Sequence, residues 1–306
     1  MQNEFAFLGL GIESGQTLKG LRDSSHYAKI HLAQHYDFDD LGMVFGNKVY
    51  EKIQSLDQLC NFTLQPYFEA QARTIEALEQ KKFLVNWGGD HSVGISTVSG
   101  FTKVYPAGWT IWIDAHADLN TPEASLSGSF HGMPLSLLLG LGSGSSDKNI
   151  FKTLNPKKLI YFGLRDVDSF EVKAIRKLGI KTFTTQMIRE LGINHVIREI
   201  TNLTRGQDVH ISFDIDSLDP EFAASTGVPV NNGLVPSEIF HLADELSEKS
   251  NVVSLDIVEI NPYLGSAQEI SSTYQIANLF LEHILLGKKI FHRKQNANQP
   301  SHFMLA

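Results

Sequence analysis

Four short stretches of this chain share one pattern, an apolar run that ends in side chains able to bind metal. They are NWGGDHS at 86–92, WIDAHADLN at 112–120, SFDIDSLDP at 212–220 and SLDIVEINP at 254–262. In an extended chain alternate residues point the same way. Asp114, His116 and Asp118 therefore converge if the chain stays near-extended past its apolar run, and Asp214 and Asp216 do likewise. Gathering carboxylates away from water without partners is very costly; bound cations remove that cost, and two dications would roughly balance four carboxylates. With His91 added, the candidate ligands are four Asp and two His, with no thiolate. Oxygen-rich ligation with some imidazole suits Mn2+ better than a structural Zn2+. The set is too large for one ion of ordinary coordination number. Two ions about 3.5–4 Å apart, bridged by shared carboxylates, fit it, and a water between them would ionise near neutral pH and become a nucleophile. A single D-x-D at a strand end is more often structural, and Gly88-Gly89 is first a turn signal. The recurrence of the pattern carries the reading.

Ligands on strand tips need a sheet to place them. Strand-like runs occur at 4–10, 83–87, 109–113, 158–163, 181–184, 209–213 and 252–255, and helical patterns at 68–80, 95–102 and 133–139, between the last four strand runs, and at 237–249 and 274–286. Alternating strands and helices predict an α/β fold, a single domain over 1–306 with a mainly parallel β-sheet covered by helices on both faces. Ligands in such sheets sit beyond the carboxyl ends of the strands, where all four clusters fall. Residues 288–306, polar and aperiodic, read as a C-terminal tail.

The rest of the composition narrows the field. The chain has 306 residues, 42% hydrophobic and 20% charged, which is ordinary globular composition. A net charge of -8 argues against a nucleic-acid partner. Cys60 is the single cysteine, so no internal disulfide can form; it reads as a small core residue, and the chain as one for a reducing compartment. No apolar run is long enough for a spanning helix, and MQNEFAFLGLGI reads as a first strand rather than a signal peptide. The expectation is a cytoplasmic protein without a membrane partner. Two glycine-rich segments are set aside. Gly9, Gly11 and Gly15 give G-x-G-x-x-x-G, which misses the dinucleotide spacing, and the loop at 140–147 lacks the ending of a phosphate loop.

The motifs resemble the arginase family of ureohydrolases. GGDHS (88–92), DAHADLNTP (114–122), SGSFHGMP (127–134), GLRDVD (163–168), SFDIDSLDP (212–220), STGVPV (225–230) and DIVEINP (256–262) occur in family order, while the first 80 residues match less clearly. The resemblance implies the family's three-layer α/β/α architecture and two Mn2+ per chain. One ion would take His91, Asp114, Asp118 and Asp214, the other His116, Asp114, Asp214 and Asp216, with Asp114 and Asp214 bridging. The implied reaction is hydrolysis of L-arginine to L-ornithine and urea by a hydroxide bridging the ions. Glu259 would hold the guanidinium, Asp118 steady the hydroxide and pass its proton to the leaving amine, and His131 shuttle protons to solvent. Asn120 and Ser127 would bind the α-carboxylate and Asp168 the α-ammonium. A homo-oligomer, trimer or hexamer, is also implied.

Departures leave substrate choice open. Ser129 stands where many arginases have Asn, Val228 where many have Thr, and Asn231-Asn232 replace smaller or apolar residues. The alternatives are another ureohydrolase, an agmatinase or guanidino-acid hydrolase, and a non-catalytic metal-bound regulatory protein.

Overall fold

The computed structural model describes residues 4–15, 17–46, 64–141, 151 and 153–297. Cys60 and most of the loop at 140–147 lie outside them. Among the described residues the strands are β1 (Phe5–Gly11), β2 (Phe38–Phe45), β3 (Leu84–Trp87), β4 (Trp109–Ile113), β5 (Leu159–Leu164), β6 (Lys181–Thr184), β7 (Asp208–Asp214) and β8 (Asn251–Val258). They form one sheet in the order β2-β1-β3-β8-β7-β4-β5-β6, and every neighbouring pair is parallel. Parallel strands are covered on both faces and read as unbroken apolar runs. The β4 run WTIWI and the β5 run LIYFGL are buried along their whole length.

The helices are α1 (Leu21–Leu32), α2 (Gln65–Glu79), α3 (Gly94–Val104), α4 (Pro134–Leu139), α5 (Ser169–Leu178), α6 (Thr185–Leu191), α7 (Ile193–Thr204), α8 (Pro236–Lys249) and α9 (Ala267–Ala297). On one face of the sheet Phe7, Val85, Ile111, Phe213 and Ile257 pack with Leu32 of α1, Ile200 of α7, Leu246 of α8 and Phe280 of α9. On the other, Leu8 and Leu84 meet Leu78 of α2 and Phe101 of α3, and Trp112 and Tyr161 meet Val98 of α3 and Leu138 of α4. Each such side chain, fully buried, contributes about 1.5–3 kcal/mol. The single α/β unit with helices on both faces is as the sequence predicts.

Helix α1 (Leu21–Leu32) is not in that reading, and two further elements differ from it. The edge strand β2 was not foreseen: FDDLGMVF has acids where a central strand would be apolar, and as an edge it pairs only with β1 and stays half-exposed. Helix α9 overruns its predicted end and takes in the first part of the expected tail, to Ala297. That part is tied to the sheet: Lys288 donates to the backbone carbonyl of Val252, and Lys289 pairs with Glu4 at 3.2 Å. Residues 298–306 lie outside the described residues.

Register sets up the site. Trp87, Ile257, Phe213 and Ile113 stand level across the adjacent strands β3, β8, β7 and β4. The residues just beyond these four positions, His91, Glu259, Asp214 and Asp114, therefore emerge along one stretch of the sheet's carboxyl edge.

Candidate metal centre and active site

The ligand side chains converge, but not through extended chain. Asp114 Oδ1 accepts from the backbone N–H of His116 at 2.7 Å, and Asp214 Oδ1 from that of Asp216 at 2.9 Å. Asp90 repeats this turn with Ser92 at 3.0 Å. Each strand thus ends in a tight turn closed by its own aspartate, which brings residue i+2 back beside residue i. The expectation of near-extended chain past the strand is corrected, since a carboxylate at a strand tip satisfies the next free N–H more cheaply by turning.

Two groups result, His91 with Asp114 and Asp214, and His116 with Asp114 and Asp216, sharing Asp114. His91 Nδ1 lies 2.9, 3.1 and 3.0 Å from oxygens of Asp114, Asp118 and Asp214. His116 Nδ1 lies 3.1 Å from Asp216. One imidazole nitrogen carries at most one proton and cannot serve three carboxylates. Despite these short distances, His91 Nδ1 and Asp118 Oδ2 are buried without a well-aligned hydrogen bond among the described residues. Burial, then Asp216 and Asp114, push the Asp214 carboxyl well above the usual range. Burial, then Asp114, push Asp118 up to about 7. Burial opposes the charge on Asp114 too, but His116 and His91 outweigh it and hold that carboxyl low. Crowded acids with orphaned ligand atoms are what a cation site requires, so the donor set fits divalent metal.

Behind the ligands lies a polar layer that sequence reasoning did not find. The Trp112 indole N–H donates to Asp114 at 2.9 Å, and its ring stacks on His91 with centroids 3.9 Å apart. His91 Nε2 lies 3.0 Å from Ser212 Oγ, which donates to Asp256 at 3.2 Å. The wholly buried Asp256 also takes Thr97 at 2.6 Å, Asn86 at 2.7 Å and His210 Nε2 at 3.1 Å. Burial would raise its carboxyl, but His210 and the hydroxyl and amide donors keep it below the usual range. Such outer partners fix the ring and proton of a metal-binding histidine. The only sequence sign was the even spacing of polar residues inside two apolar strands, His210 and Ser212 in β7, Ser254 and Asp256 in β8. Arg165 is a second missed support. Its guanidinium donates to the carbonyls of Asp216 and Val230, both at 2.7 Å, and so ties a ligand turn to the Val228 loop.

Glu259 and His131 come together. Glu259 Oε1 lies 3.2 Å from His131 Nδ1 and accepts from the His91 N–H at 2.9 Å. Burial works against charge on His131, but Glu259 outweighs it and lifts the imidazole to about 9. Gly15, set aside as a nucleotide signal, has a structural use. Its carbonyl accepts from His131 N–H at 3.2 Å, its own N–H meets Asp90, and a Cβ there would stand 2.6 Å from the His131 nitrogen. The glycine lets the loop after β1 press against the His131 segment.

A cavity of about 280 Å3 opens beside these groups. Its lining joins His116, Asp118, Asp214 and Asp216 to His131, Asn120, Ser127 and Asp168, and includes the departures Ser129 and Val228. Asn120 Nδ2 donates to Asp168 at 2.9 Å. Asp168 sits at the N-cap of α5, and Glu171 takes its N–H at 2.9 Å and that of Leu119 at 3.0 Å. Glu171 and Ser125 line the cavity too and were not foreseen. Ser127 lies 3.3 Å from Ser125, oxygen to oxygen. Glu259 is buried and is not part of the lining, its carboxylate turned to His131 and His91.

Comparison with known proteins bears on the family and the fold. An arginase from Glaciozyma antarctica is 42% identical over 200 residues, 63% of this chain and 58% of that protein. One from Coccidioides posadasii is 39% identical over 227 residues, 69% and 70% of the two chains. The aligned part thus spans 58–70% of these relatives' length. A crystal structure of arginase from Bacillus subtilis superposes with a TM-score of 0.80 at 30% identity, covering 92% of this chain and 97% of that one. An Entamoeba histolytica arginase in complex with L-ornithine gives 0.77 at 27%, covering 93% and 99%. The Arginase family model matches residues 14–286, nearly the whole described chain and every strand-tip cluster, and on that extent the chain belongs to the arginase family.

Proposed function

We propose that this chain hydrolyses the guanidinium group of L-arginine to L-ornithine and urea, using two Mn2+ held by His91, Asp114, Asp118, Asp214, His116 and Asp216. The observation that carries this reading is one cavity that joins the ligand carboxylates to the Asn120–Asp168 pair. A metal site alone suits many hydrolases. A metal site facing an amide donor and a further carboxylate suits a substrate with a cation at one end and an amino-acid group at the other. Two divalent ions there would acidify a water and so supply a nucleophile near neutral pH.

The chain's own side chains do the rest. Asp118, which lines the cavity beside the other ligand carboxylates, would take a proton from the attacking water and return it to the departing amine. The Glu259 carboxylate, charged beside His131 and outside the cavity lining, would turn from its His131 and His91 partners to meet the guanidinium cation, which it favours by charge-assisted hydrogen bonding. His131 is partly exposed and lines the cavity, so it can carry protons between the site and solvent from one turnover to the next. Asn120 and Ser127 take the α-carboxylate and Asp168 the α-ammonium. Agmatine, which lacks the carboxylate, would leave the Asn120 amide without that partner.

The ornithine complex of the Entamoeba relative supports the product assignment. Family resemblance supports a homo-oligomer, trimer or hexamer, and the lone Cys60 suits a reducing, cytoplasmic setting. No helix among the described residues is long and apolar enough to cross a membrane.

Urea release by Mn2+-loaded protein from arginine, agmatine and guanidinobutyrate tests the reading. Expected is a clear preference for arginine. Preference for agmatine or the guanidino acid assigns another ureohydrolase activity. Two bound metals with no turnover of any guanidine indicate the regulatory alternative.

A further inference from the structure

At the opposite edge of the sheet, where β1, β3 and β8 begin, lies a cavity of about 550 Å3. Phe83, Tyr105 and Leu285 give it apolar walls, and Lys81, Lys82, Lys288 and Lys289 surround it. Both acids in the lining are engaged: Asp39 pairs with Lys82 at 2.8 Å and Glu4 with Lys289 at 3.2 Å. Among the described residues Lys81 and Lys288 have no carboxylate partner. Lys81 Nζ stands 4.9 Å from the centre of the Tyr105 ring. Lys288 Nζ stands 4.7 Å from that of Phe83 and donates to the Val252 carbonyl.

Two details separate these lysines from ordinary surface cations. Lys81 has a φ of 58°. It follows the end of α2, where its N–H returns to Leu78 at 3.0 Å and that of Lys82 to Ala77 at 3.2 Å. That left-handed position is normally glycine's, and a strained side chain kept there points to a use. Lys288 has a backbone carbonyl but no carboxylate beside it, and burial pushes its ammonium down to about 8. About a tenth of it is then free amine at pH 7, far more than for an ordinary lysine, and that is the nucleophilic form.

We propose that this cavity is a second ligand site, which takes a small organic carbonyl compound bearing a carboxylate or phosphate and holds it as an imine on Lys288. Lys81 supplies the charge for the anionic group, while Phe83 and Tyr105 cover the apolar body. The Lys288 nitrogen adds its lone pair to the carbonyl carbon, forming the C–N bond. The carbonyl oxygen gains protons from the amine and solvent and leaves as water. No oxidant or reductant takes part, and water reverses the step. The metal centre, at the other edge of the sheet, is not involved.

Pyridoxal 5′-phosphate and 5′-deoxypyridoxal, two open-chain aldehydes of which one carries the phosphate, serve as probes on the full metal-loaded chain. Borohydride fixes any imine, and peptide mass mapping locates it. The first equivalent should label Lys288, and Lys288→Met and Lys288→Arg should both lose that adduct while unfolding as cooperatively as the parent. The phosphorylated probe should react faster by up to about fivefold, the scale of a partly exposed ion pair, and Lys81→Met should remove that margin. Labels spread over the lysines in proportion to exposure, or a first-equivalent adduct that survives in Lys288→Arg, would overturn the imine site. A margin unchanged in Lys81→Met would overturn its anion-binding half.

Discussion

Asp118 and Glu259, the two proposed catalytic carboxylates, both have positive φ, 50° and 64°. The left-handed region costs a non-glycine residue about 1–2 kcal/mol, so their surroundings must hold them. Glu259 N–H is tied to Gly89 at 3.0 Å, and the Asp118 carbonyl takes Leu135 N–H at 3.0 Å. Glu259→Gln keeps the shape and removes the charge. It should lower kcat/KM for arginine on the order of 10²–10³-fold, the scale of losing one transition-state contact, with metal content unchanged on the same preparation. Asp168 is both a helix N-cap and a cavity wall. Asp168→Ala should lower kcat/KM for arginine by about 10- to 100-fold, matching the roughly 1.5–3 kcal/mol of a charged hydrogen bond. With metal analysis unchanged, parallel kinetics on arginine and on its analogue lacking the α-amino group locate the effect. An equal loss on both would remove the assigned ammonium contact.

At the scale of elements, the strand tips are held by a layer reaching from β3 to β7 and β8. Asp256 is its centre, a buried charge with four side-chain donors. Asp256→Asn should cost about 1–3 kcal/mol of stability, the scale of leaving buried donors without their charged acceptor, and weaken metal binding by roughly 10- to 100-fold. Denaturant unfolding measures the first and chelator competition the second; unchanged competition would reduce the layer to a structural role. The contrast with the ligands explains what the sequence could disclose. Asp114 and His116, or Asp214 and Asp216, are two residues apart on one strand tip, so spacing reveals them. Asp256 meets His210 and Asn86 only because β8 lies between β7 and β3, and one sequence without the strand order does not show that. β2 escaped for another reason: an edge strand needs one neighbour and no apolar run. The overrun of α9 was hidden because its last turns are polar, and the tie that holds them, Lys288 to Val252, is a long-range contact.

Across the whole molecule the sheet separates two chemistries, acids at the carboxyl edge and lysines at the amino edge. The lysine end has a measurable consequence for stability. Lys288 titrates at about 8 in the folded chain against 10.5 when free. Between those values the unfolded chain binds the extra proton, so this group makes stability rise with pH across the window. Below pH 8 both states are charged and the burial cost, about 3 kcal/mol at most, is present in full. Lys288→Met should therefore be more stable than the parent at pH 7, and the gain should fade as pH approaches 10.5. Paired unfolding curves at the two pH values decide it, and a constant difference would show that burial of the charge is not its source.

The acid end carries the central claim, that six side chains from separate strand tips hold a pair of divalent ions and that turnover needs both. Stepwise chelation of the purified protein, with metal per chain and urea release read on each fraction, tests it most directly. Two ions per chain are expected at full activity, with urea release lost as the first of them is withdrawn. Full activity with one ion per chain, or with none, would contradict it.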